Sequence, residues 1–148
     1  SPGVRISASD EIIIGDGVMM ANGCYVTDSD WHTLYDRTRR SLTPTPVVLE
    51  KNVWLGDGVT ILKGVTVGEN SVIAARSVVT RDIPKNTVAA GNPARIIKKL
   101  DADLEFVTRG ELFSDPSSVL SFYDAVDREV LSKNSLVKWI LSLIWPSA

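Results

Sequence analysis

Aliphatic residues recur every six positions in this chain, first at Ile14, Met20 and Val26, then at Leu49, Leu55, Ile61, Val67, Ile73 and Val79. A helical face repeats every 3.6 residues and a half-buried strand every two, so neither produces this spacing. A three-sided coil with six residues per side does. Each aliphatic residue then stacks on its counterpart one coil away, as Leu49 would on Val67, eighteen positions on. The expected fold class is an all-β solenoid, a parallel β-helix.

A second inward position lies four residues after each aliphatic one and holds small or branched side chains: Val18 and Cys24, then Val53, Val59, Val65, Ser71, Ser77 and Ile83. Between inward positions fall Gly15-Asp16-Gly17, Gly56-Asp57-Gly58, Lys63-Gly64 and Gly68-Glu69-Asn70. Corners of a coil bend sharply, and positive φ is cheap only for Gly or Asn. The pattern is already under way at Val4, Ile6 and Ile12.

The period is interrupted once. From Val26 to Leu49 the step is 23 residues, five more than one eighteen-residue turn, so 28–46 is expected to leave the coil as a loop. It gathers Asp28, Asp30, Trp31, His32, Tyr35, Arg37, Arg39 and Arg40 before closing through Pro44 and Pro46. Loops on rigid scaffolds commonly hold functional groups. After Arg95 the period ends, and helical spacing takes over at Leu104, Phe106, Val107, Leu112 and Phe113, then at Val119, Phe122, Val126, Val130 and Leu131. The expected organisation is a β-helix over 1–98 and a helical extension over 99–148. Leu136–Trp145 is apolar around most of its circumference, and packing on protein is favoured over contact with a membrane face.

With 16 basic against 18 acidic side chains, the charge balance offers no argument for nucleic acid or an anionic bilayer. Cys24 is the only cysteine, which excludes an intrachain disulfide framework and fits a cytoplasmic location. At a small inward position it reads as core rather than as a nucleophile. His32 is the sole histidine. Imidazole exchanges its proton near neutral pH, so His32 suits the removal of a proton from an attacking alcohol.

Four segments carry a resemblance: Val53-Trp54-Leu55-Gly56, Leu62 to Gly68, Ser77 to Pro84, and Ala89-Ala90-Gly91-Asn92-Pro93-Ala94-Arg95. The chain resembles the hexapeptide-repeat acyltransferases, nearest their galactoside, maltose and polysaccharide O-acetyltransferase branch. That resemblance implies a left-handed coil, a homotrimer, and acetyl-CoA as donor in a groove between neighbouring β-helices, with no metal required. It implies that His32 is the catalytic base and places the donor against Trp54, Ala75, Thr80, Arg81 and Arg95. Arg76 departs from the family's usual glycine. Asp30 is a candidate orienter of the imidazole, and Asp28 a weaker one. Asp28, Trp31, Tyr35 and Arg37 form a candidate acceptor surface for a sugar.

The reading is therefore transfer of an acetyl group to a hydroxyl of a sugar or polysaccharide precursor. Its rivals are an acyltransferase using an acyl-carrier-protein thioester, an amine or a xenobiotic, and a non-catalytic β-helix serving assembly. A zinc site of three histidines would need His32 from three chains to meet on one axis.

Overall fold

A computed structural model describes residues 2–41, 43–132, 135–137 and 140 of the chain. Its contacts fall into two compact units, Ser1–Phe106 and Val107–Ala148.

The first unit is a triangular parallel β-helix. One face stacks β1 (Arg5–Ser7), β4 (Tyr25–Thr27), β7 (Thr60–Ile61) and β10 (Val78–Val79). The second stacks β2 (Ile12–Ile14), β5 (Val47–Leu49) and β8 (Thr66–Val67). The third runs β3 (Met19–Met20), β6 (Trp54–Leu55), β9 (Val72–Ile73) and β11 (Thr87–Gly91). It ends with β12 (Ala94–Lys99), which folds back antiparallel on β11.

The six-residue series is the core. Val26, Leu49, Leu55, Ile61, Val67, Ile73 and Val79 are all fully buried, and Cys24, Val53, Val59, Ser71 and Ser77 fill the smaller inward positions. Ile14 is 42% exposed because its coil has only one neighbouring rung, made by β5. Burial of a Leu or Ile side chain stabilises by roughly 2 kcal/mol, and the stack repeats that gain at every side.

Register corrects the expected geometry of the interruption. Below it, Ile61 pairs with Val79 and Leu49 with Val67, eighteen residues apart. Across it, Val26 pairs with Ile61, Ile14 with Leu49 and Met20 with Leu55, each 35 apart. Val26 and Leu49 thus occupy successive sides of one coil, and the loop adds 17 residues (35 less 18) at a single corner. The last coil is shorter than the rest. Val67 bridges to Ile83 and Ile73 pairs with Ala89, both sixteen apart, so Ile83 continues the Val67 stack.

Two corners use the left-handed backbone region repeatedly. Gly17 (φ 70°), Asn52 (57°), Asn70 (59°) and Asn86 (54°) occupy one corner in successive coils. The three asparagines form a ladder, Asn52 Nδ2 donating to Asn70 Oδ1 at 2.9 Å and Asn70 Nδ2 to Asn86 Oδ1 at 3.0 Å. Asparagine tolerates this conformation better than other side-chain-bearing residues, and stacking lets its amide bond to the next coil. We expect Asn70→Ala to cost about 2 kcal/mol, from two lost amide bonds and a Cβ without local polar compensation. Asn70→Gly should recover the backbone part, which urea unfolding of both variants would show.

On another corner, Gly23 (φ 70°) and Gly58 (64°) are followed by Arg76 at 61°. The expected departure from glycine at residue 76 therefore falls on a position whose backbone favours glycine. The Arg76 side chain lies across Gly58, where an added Cβ would come within 3.0 Å of its Cδ.

In the second unit, α1 (Arg109–Phe113) starts at Thr108 with a reciprocal capping box to Glu111. α2 (Pro116–Leu131) starts at Asp115, which accepts from the Ser117 and Ser118 amides ahead of a proline in the first turn. Hydrogen bonds from both serines hold the Asp115 carboxyl down to about 2. Leu104, Phe106 and Val107, expected to be helical, precede α1 in irregular chain. Most of Leu136–Trp145 lies outside the described residues, so the expectation for that run is not addressed. No helix among the described residues is long and apolar enough to cross a membrane.

Candidate active site

The loop of residues 28–46 leaves the corner between β4 and β5 and is pinned at its root by a buried carboxylate. Asp28 is fully buried, and its oxygens accept from the backbone amides of Ser9 (2.8 Å), Asp10 (2.7 Å) and Glu11 (2.9 Å) one coil away. Burial alone would raise the Asp28 pKa, but these amides favour the anion and hold it below the usual carboxylate range. The Asp28 carbonyl also accepts from the Thr45 amide at 2.9 Å, so one residue ties together both ends of the loop. Asp28, expected at the acceptor surface, instead anchors the loop.

Above this root the chain doubles back. The Ser41 amide donates to the Trp31 carbonyl and the Thr33 amide to the Arg39 carbonyl, both at 3.2 Å, and His32 bridges antiparallel to Arg40. Trp31 takes φ 64° and its indole Nε1 donates to Thr27 Oγ1 at 3.3 Å, which turns the ring back toward the end of β4. The next residue, His32, is carried outward and exposed.

Asp30 differs from the orienter expected of it. Its carboxylate forms an ion pair with Lys63, and its carbonyl accepts from the His32 amide at 2.8 Å. Among the described residues it therefore positions His32 through the main chain. Lys63 was not a candidate from sequence. It occupies the corner one coil below the loop's exit, where the Gly64 amide donates to the Thr45 carbonyl at 2.9 Å. Counting one coil down from the interruption would have found it.

His32, Asp30 and Lys63 share an open hollow of about 740 Å3 with Thr33, Leu34, Tyr35, Arg39, Arg40, Ser41 and Thr43. Tyr35 is thus brought to the site. Trp31, Arg37 and Asp28 do not line it. The hollow offers an exposed imidazole, hydroxyls and cations on a loop whose root is rigid.

A second hollow of about 420 Å3 lies on the third face. Trp54, 48% exposed and pointing out between inward Val53 and Leu55, lines it together with Ala75, Gly56 and Asp57. Two of the five candidate donor residues meet there. Thr80 and Arg81 follow β10 on the first face and Arg95 is the second residue of β12; all three are exposed, and none lines this hollow. The Cys24 thiol, fully buried, lies 3.2 Å from the Gly56 carbonyl, and burial pushes its pKa up. A buried protonated thiol suits core and not nucleophilic chemistry. Among the described residues no cluster of His, Cys, Asp and Glu is built to hold a metal ion.

Three-sided coils of six-residue sides, with one histidine-bearing loop projecting from a corner, define the class of protein: a parallel β-helix built on hexapeptide repeats. The family model for bacterial transferase hexapeptide (six repeats) matches residues 46–81. The galactoside O-acetyltransferase of Escherichia coli K12 is 40% identical over 92 residues, which cover 61% of this chain and 45% of that protein. A maltose O-acetyltransferase from Clostridium difficile 630 superposes with TM-score 0.55 at 32% identity, over 68% of this chain and 69% of that one. A hexapeptide-repeat acetyltransferase from Vibrio cholerae O1 biovar eltor, complexed with acetyl coenzyme A, superposes with TM-score 0.52 at 31% identity, over 68% of each chain. The chain belongs to the hexapeptide-repeat acetyltransferase family, and its β-helix is left-handed. It spans less than half the length of the curated relatives it matches.

Proposed function

We propose that the protein transfers an acetyl group from acetyl-CoA to a hydroxyl of a sugar or polysaccharide precursor, with His32 as general base. The single observation that carries this is the exposed imidazole held over a hollow by a doubly anchored loop. The relatives supply the chemistry: two are named for sugar O-acetylation and one was solved with acetyl coenzyme A.

In this reading the acceptor hydroxyl lies against His32. As the imidazole takes its proton, the oxygen attacks the thioester carbonyl carbon and a tetrahedral oxyanion forms. Collapse expels the coenzyme A thiolate, which recovers the proton from the imidazolium. Direct transfer needs both substrates bound together, and orientation supplies much of the rate. No step calls for a metal. Trp54 and Ala75 would hold the pantetheine arm, with Thr80, Arg81 and Arg95 nearer the nucleotide end.

The triangular section supports a homotrimer. The loop leaves the corner between the first and second faces, whereas Trp54 and Ala75 project from the third, the side opposite that corner. A donor held on the third face of one protomer meets a His32 only if a neighbour brings its corner alongside. Incubation with acetyl-CoA and a panel of neutral and anionic sugars, following free thiol, tests the reaction; no sugar-dependent release with any of them would refute it. Sedimentation tests the assembly. We expect trimers at micromolar concentration and activity that disappears on dissociation, and activity retained in a monomer would refute the shared site.

A further inference from the structure

The charge around His32 runs against that of the whole chain. The chain carries a net charge of −2, yet the hollow is lined by Lys63, Arg39 and Arg40 against one carboxylate, Asp30. Lys63 already neutralises Asp30. Arg39 contacts Asp36 at 3.1 Å, but that pair is exposed, with side chains 81% and 50% accessible, and such pairs open readily. Arg40 is exposed and enters no ion pair among the described residues.

The backbone fixes the face from which the Arg40 side chain leaves. His32 and Arg40 are direct antiparallel partners, and residues directly opposite in an antiparallel pair leave the same face, with Cβ atoms roughly 5 Å apart. Both side chains line the same hollow, and the Arg40 guanidinium is within its own length of the imidazole. We propose that the acceptor is an anionic saccharide, carrying a carboxylate or phosphate near the reacting hydroxyl, and that Arg40 is the residue that selects it. This rests on the reading of the His32 hollow as the acceptor site.

The guanidinium fork matches a carboxylate or phosphate with two parallel N–H···O bonds, a match a neutral hexose does not provide. An anion there also balances the positive charge that His32 gains as it takes the proton, which Arg40 alone would oppose.

The test compares a hexuronate, a hexose 6-phosphate and the neutral hexose. kcat/KM is measured for the wild type, Arg40→Gln, and Lys51→Gln as a charge-matched change on an exposed corner. Binding of the same sugars without acetyl-CoA is followed by ligand-detected NMR. At low salt the wild type should favour one anionic sugar over the neutral one by about tenfold or more, and Arg40→Gln should remove most of that ratio. Lys51→Gln should leave the ratio unchanged. The preferred anion distinguishes carboxylate from phosphate. Equal kcat/KM for all three sugars, or an unchanged ratio in Arg40→Gln, would overturn the proposal. If no sugar is acetylated, the proposed reaction fails, and the NMR arm decides the anion site separately. Anion-selective binding lost in Arg40→Gln retains the site; equal binding, or none, removes it.

Discussion

His32→Ala is expected to lower kcat for acetyl transfer by about 10³-fold, the middle of the range for a positioned general base. Stability should change little. His32 is exposed, and the bonds that hold its segment are main-chain ones from the His32 amide to Asp30 and from the Ser41 amide to Trp31. Affinity for acetyl-CoA should also persist, since the candidate donor residues Trp54 and Ala75 line a different hollow. Stopped thiol release with intact donor binding would separate a base from a packing residue. A loss below about tenfold would remove His32 from the chemistry.

Asp28→Ala is expected to be the most damaging of the stability changes, at about 3 kcal/mol. It leaves the Ser9, Asp10 and Glu11 amides without their shared acceptor, and each unsatisfied amide costs about 1–3 kcal/mol before water enters the gap. Because the same residue roots the loop, activity should fall with stability, unlike in His32→Ala. Asp28→Asn should be milder, since one amide oxygen can still accept. The pH dependence follows from the depressed native pKa. The stabilisation is fully present above the unfolded carboxylate value of about 3.9 and is lost as pH falls through the lower folded value. Wild type should therefore lose this contribution only below about pH 4, and Asp28→Asn should lose less over the same window. Chemical denaturation at pH 7 and pH 3 measures both. Equal acid sensitivity in the two proteins would refute the role of the ionised carboxylate.

What the sequence made legible follows from which forces repeat. Burial of Leu49, Leu55, Ile61, Val67, Ile73 and Val79 recurs at each side, so a period alone reveals the coil. The loop is legible for the converse reason: polar and aromatic residues replace the period between Val26 and Leu49. Contacts made once, between distant positions, leave no such trace. Asp28 reaches back 17 to 19 residues to three amides, and Asp30 reaches forward 33 residues to Lys63. The first depends on the register of the coil before the loop, and the second on how many residues the loop inserts, which reading the 23-residue step as one turn plus five gave wrongly and strand pairing set at 17. The asparagines of the ladder could be seen singly as turn residues. Their mutual bonds appear only when coils are stacked.

The asparagine ladder also constrains how such a chain can change over evolutionary time. Between Asn52 and Asn70 the spacing keeps three things in phase: a left-handed corner, an amide bonded to its neighbour, and aliphatic groups turned inward. Adding or removing a single residue there would put all three out of step at once, whereas duplicating one whole circuit would preserve them. Tinkering with specificity is therefore channelled into the corner that already tolerates an excursion, the one that carries His32.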